Sequence, residues 1–173
     1  IEGGAPTEAV VGAAATLSLR HLTVAGPIGV AAFEGADVSV ESAIIERSRA
    51  ASVYAAAGGH VSLRRVVVRD VAPDDEGFSK GVIAEGGTID LDSVLLDGAF
   101  STAVGVNGGS LELRNVRVIG RRDTTQTRGL RVQSGALDAT AVQIEGFATG
   151  VDVGADGASA RATLENSQVR SST

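Results

Sequence analysis

The chain of 173 residues carries 15 basic and 21 acidic side chains, a formal net charge of −6, and no Cys, Met or Trp. That balance speaks against nucleic acid, which asks for a basic patch, and the absence of cysteine excludes a disulfide framework or a thiolate metal site. Hydrophobic residues reach 43% while aromatics stay at 3%, so Val, Leu, Ile and Ala must fill a thin core, and no apolar run approaches the roughly 18 residues of a membrane span.

In chain order, residues 1–4 read as the end of one strand and Ala9-Val10-Val11 as the next. From Thr16 one pattern recurs: apolar-x-apolar, two polar residues, apolar-x-apolar. Its copies are TLSLRHLTV from Thr16, DVSVESAII from Asp37, HVSLRRVVV from His60, TIDLDSVLL from Thr88, SLELRNVRV from Ser110, ALDATAVQI from Ala136 and RATLENSQV from Arg161. Each is preceded by a further short strand, such as Gly29 to Ala32, Ser52 to Ala55, Gly81 to Ala84 and Gly129 to Val132. Alternation with period two says strand with one buried face. The first apolar column, Leu17, Val38, Val61, Ile89, Leu111, Leu137 and Ala162, repeats at intervals of 21, 23, 28, 22, 26 and 25 residues.

A coil of that length cannot bury its own inner face, so coils must stack. The expected fold is all-β: a right-handed parallel β-helix, a three-sided solenoid of about seven coils over residues 1–173. Neither end shows a cap, so the expectation is a single-domain excerpt of a longer solenoid, or open ends that stack on other molecules.

The segment from Ala103 to Val118, with GGSLELRNVRV from Gly108, resembles the repeat of the pectin-lyase-like superfamily. The resemblance spans the chain and implies the β-helix fold, with activities ranging from polysaccharide lyases and hydrolases to surface proteins without catalysis. The G-H-G and R-I-K segments of polygalacturonase-like enzymes and the W-x-D-H and R-x-P-x-x-R segments of pectate-lyase-like ones are absent. The asparagine ladder common at the two-residue corner is reduced to Asn115 and Asn166, with Ser42, Arg65, Ser93 and Ala141 in other coils.

Two long loops, Arg69 to Lys80 and Ile119 to Arg128, should stack on one edge with bases roughly 10 Å apart. Asp70, Asp74 and Asp75 with Arg121 and Arg122 are the candidate catalytic set, since paired acids can do acid-base work on a sugar while arginines clamp a carboxylate. Asp74, Asp75 and Glu76 offer hard oxygen ligands for Ca²⁺, the one cofactor considered. Tyr54, Ile83, Arg131 and Asp152 alternate outward on the third face, and Tyr54, Arg128, Arg131 and Asp152 are the candidate binding residues. Ile44, Val67 and Leu95 form an outward apolar stripe, expected to be covered by the loop from Val71 with Phe78 turned inward. His21 and His60 read as exposed turn residues.

The expected function is a non-catalytic, secreted or surface-exposed scaffold presenting a face to a polysaccharide or another surface protein. The alternatives are a polysaccharide lyase or glycoside hydrolase with a cleft between loops 69–80 and 119–128, and a module that self-associates end to end into filaments. The richness in Ala, Gly, Val and Arg points to a bacterial source.

Overall fold

In the computed structural model, residues 9–11, 14–98, 100–121, 126–154 and 159–171 are described; the strand end expected at 1–4 lies outside them. Every strand-to-strand pairing among them is parallel. Each segment pairs with its counterpart one coil away, which makes a parallel β-solenoid of about six turns.

Three faces result. The first stacks residues 16–20, 37–41, 60–64, 88–92, 110–114, 136–140 and 161–165. The second stacks 23–25, 44–46, 67–69, 95–97, 117–119, 143–145 and 168–170. The third begins with Ala9–Val11 and continues through 30–32, 53–55, 82–84, 104–106, 130–132 and 151–153.

The repeat columns read from the sequence are the core. Val38, Val61, Ile89, Leu111 and Leu137 are fully buried, as are Val40, Leu63, Leu91 and Leu113 one column on. β-branched and leucine side chains suit these positions because like residues stack about 4.8 Å apart and fill a flat layer without an aromatic ring. Towards the terminal coils the burial weakens: Leu17, Leu19 and Leu22 are only partly covered, as are Ala162 and Leu164.

The corners have different physical origins. Between the first and second faces, His21, Ser42, Arg65, Ser93, Asn115, Ala141 and Asn166 all take φ between 49° and 59°. An alanine or arginine there costs about 1 kcal/mol. The backbone holds it, since the N–H groups of Ser93, Asn115 and Ala141 donate to carbonyls of Arg114, Thr140 and Glu165 in the next coil, at 3.0–3.1 Å. Coil-to-coil hydrogen bonding therefore sets this conformation, which explains how the fold tolerates an incomplete asparagine ladder. Where both an asparagine and a serine are present, they lean on Asp92: hydrogen bonds from Asn115 and then Ser93 hold its carboxyl below the usual range.

Between the third and first faces the turn is a glycine pair in three successive coils. Gly58, Gly86 and Gly108 supply positive φ, and Gly59, Gly87 and Gly109 follow them where backbones of adjacent coils touch. The third corner, between the second and third faces, carries the variable loops. Phe100 and Phe147 are buried there, two aromatic rings in a core that the composition ascribed to aliphatic side chains alone.

Outward positions of the first face form a charge ladder. Arg20, Glu41, Arg64, Asp92 and Arg114 occupy one column in adjacent coils. The signs alternate, with Arg20 at 3.4 Å from Glu41 and Arg64 at 3.9 Å from Asp92. Such exposed pairs add little stability each, but they disfavour any shift that would set like charges opposite one another.

Candidate functional site

The third face gathers three of the predicted binding residues, Tyr54, Arg131 and Asp152, into one column. Register pairing aligns Tyr54, Ile83, Gly105, Arg131 and Asp152 in successive coils. Gly105 interrupts this row of outward side chains and leaves a notch. Ile83 leans over it, with its Cδ1 2.7 Å from where a Cβ on Gly105 would stand. The resulting depression has a volume of about 100 Å³ and is lined by Lys80, Ile83, Glu85, Thr102, Asn107, Arg131 and Gln133 among others. The side chains of Lys80 and Gln133 have no hydrogen-bond or ion-pair partner among the described residues. Asn107 spends its Oδ1 accepting from the Ser134 hydroxyl at 3.0 Å, which leaves its amide N–H groups available.

On the far side of the notch the expected binding residues meet. Asp152 accepts from Arg128 Nε at 2.8 Å, and Arg131 Nε lies 3.7 Å from the same oxygen. One carboxylate thus serves two guanidinium groups, and the remaining donors of Arg131 stay free for a ligand.

Tyr54 marks the opposite end. Its hydroxyl donates to Glu85, and its ring packs at a tilt against Phe33, with centroids 5.6 Å apart. Burial, and then the hydrogen bond to Glu85, push the phenol up from its ordinary value near 10 to about 12. The raised value means that the fold favours the neutral phenol. Its stabilising contribution is complete below the unfolded value and is lost as pH rises from there through about 12. Tyr54 is the chain's single tyrosine, so a spectrophotometric titration reports on it alone. We expect phenolate absorbance to appear only near pH 12 in the folded protein, and earlier in Glu85→Gln; a folded-state midpoint at the free-tyrosine value would contradict this assignment.

The loop residues separate more than they converge. Arg121 Nη2 reaches Asp70 Oδ1 at 3.8 Å across an intervening coil, the one contact between the candidate catalytic acids and arginines among the described residues. Asp74 turns onto its own loop, where Oδ1 accepts from the N–H groups of Glu76 at 3.0 Å and Phe78 at 2.8 Å. Asp75 faces Arg49 of the preceding coil, and Glu76 is exposed. Arg122 lies outside the described residues. Among the described residues no three His, Asp or Glu side chains converge as metal ligands.

Two sequence expectations need correction. Phe78 does not fold inward: 49% of it is exposed, because the Asp74 cap closes the turn with the ring outside. Val71 is the buried residue of that loop instead, and the stripe of Ile44, Val67 and Leu95 stays half-buried. His60 is no turn residue. It opens the strand His60–Arg69, with Nδ1 at 3.2 Å from Asp37 and Nε2 at 3.0 Å from Asp90.

Sequence reading named Tyr54, Arg128, Arg131 and Asp152 but passed over Lys80, Thr102, Gly105, Asn107 and Gln133. The signal was present in the glycine that breaks the outward column, visible once the coils are aligned. Compared with known proteins, the chain matches no family model, no curated protein and no solved structure.

Proposed function

We propose that this chain is a non-catalytic scaffold, secreted or displayed on a bacterial surface, whose third face binds an anionic polysaccharide. Within this reading it is a right-handed β-helix of the pectin-lyase-like kind. The observation that carries it is the notch at Gly105, with Lys80 in the coil before it and Arg131 in the coil after it. Free cationic and amide donors around a shallow polar hollow suit carboxylates and hydroxyls.

Titration calorimetry with oligouronates and neutral oligosaccharides tests it. Arg131→Ala should weaken oligouronate binding about tenfold, with little effect on stability because Arg128 keeps Asp152 paired. Binding should also weaken with added salt. A wild-type protein that binds no glycan removes the reading.

The contact between Asp70 and Arg121 favours one second reading, a lyase or hydrolase acting between the two loops. It requires chain cleavage of an acidic polysaccharide that Asp70→Asn abolishes. Intact polymer after prolonged incubation with wild-type protein would exclude it.

A further inference from the structure

Three phenylalanines occupy one position of the coil. Phe78, Phe100 and Phe147 each stand two residues before Lys80, Thr102 and Thr149, and these three share one register column through Arg128. Phe100 and Phe147 are fully buried, as a corner aromatic should be, whereas Phe78 is 49% exposed. The backbone that carries the exposed ring is held from both sides. Before it, Asp74 Oδ1 accepts from the Phe78 N–H, and the Asp74 N–H donates to the Phe78 carbonyl at 2.8 Å. After it, Ser79 is locked to the next coil: its N–H donates to Ser101 Oγ at 3.1 Å and its carbonyl accepts the Ser101 hydroxyl at 2.8 Å. An ion pair from Asp75 to Arg49 ties the loop to the coil before. Phe78 is therefore an apolar surface presented on a hydrogen-bonded turn, two residues before Lys80, which lines the notch.

We propose that Phe78 is a stacking platform for the apolar face of a pyranose ring, placed where a saccharide leaves the notch past Lys80. The assignment rests on the carbohydrate-binding reading of the third face and adds a selectivity element to it. Arg131 and Lys80 read charge, while Phe78 reads ring shape. A rigid aromatic ring loses little conformational entropy on binding, and its solvent exposure in the free protein means that a ligand covers area that the fold leaves open.

The experiment compares a short oligouronate with its carboxyl-reduced, neutral counterpart by titration calorimetry. The proteins are wild type, Phe78→Ala, Phe78→Tyr, Phe78→Leu and Arg131→Ala, each checked for an unchanged melting temperature. Phe78→Ala should weaken whichever of the two saccharides binds by about tenfold, and both by the same factor if both bind. Phe78→Tyr should stay within about twofold of wild type and Phe78→Leu should not. Arg131→Ala should act on the charged saccharide alone. If Phe78→Ala binds as wild type does while Arg131→Ala is impaired, the platform is overturned and the notch stands. If Phe78→Leu restores full affinity, or Phe78→Ala lowers the melting temperature along with affinity, Phe78 has a packing role and the platform is likewise overturned. If wild-type protein binds neither saccharide, both readings fall together.

Discussion

Gly109→Val is expected to destabilise the solenoid by about 3 kcal/mol or more. A Cβ built on Gly109 stands 2.2 Å from the carbonyl oxygen of Gly87 and 3.0 Å from its nitrogen. Both obstacles are backbone, so no side chain can rotate away. The Gly87 carbonyl also accepts the N–H of Ser110 at 3.0 Å, and any shift that relieves the clash loosens that bond. Gly135 meets Gly109 in the same way, with its Cβ position 2.2 Å from the Gly109 oxygen, so a displacement in one coil passes to the next. Gly108→Ala is the control. Its φ is +76°, but the nearest atoms to its Cβ position are 3.9 Å away, which leaves only a left-handed alanine at about 1 kcal/mol. Urea unfolding followed by circular dichroism distinguishes the two. Equal midpoints for the two variants would show that close backbone approach is not what fixes this corner.

Phe100→Ala should cost about 3–5 kcal/mol. The ring is 1% exposed and lies on two glycines of its surroundings. A Cβ on Gly98 would sit 3.1 Å from Phe100 Cζ, and one on Gly81 would sit 3.2 Å from its Cε1. Those glycines provide the space that the ring fills, and hydrogen-bonded backbone on both sides cannot collapse into a void. Phe100→Leu retains most of the apolar volume and should recover more than half of the loss. Thermal denaturation of the three proteins checks the order. An alanine variant within about 1 kcal/mol of wild type would mean that the corner repacks freely.

The inward columns were legible because a thin layered core admits little but aliphatic side chains at fixed two-residue spacing, from Leu17 through Leu164. The corners were less legible. In the sequence Phe78-Ser79 and Phe100-Ser101 look alike, and only the closed turn around Asp74 sends one ring out and the other in. Arg131 and Asp152 could be placed on one face from alternation, with Arg128 at the end of the adjoining loop, yet their shared ion contact depends on coil register across loops of unequal length. Lys80 and Gln133 gave no signal of their own. Their importance comes from the absent side chain of Gly105 between them, which becomes visible only after the coils are aligned.

The register of the third face also makes the molecule a gauge. Tyr54 and Arg131 are separated by three coils, a span of roughly 14 Å that only whole coils can change, in increments of about 4.8 Å. Loop insertions such as the one carrying Phe78 decorate the edge without altering this pitch. If the face binds a polysaccharide as proposed, a lineage that gains or loses one coil between the aromatic end and the cationic end resets the length of ligand segment it spans, while every neighbouring contact keeps its form.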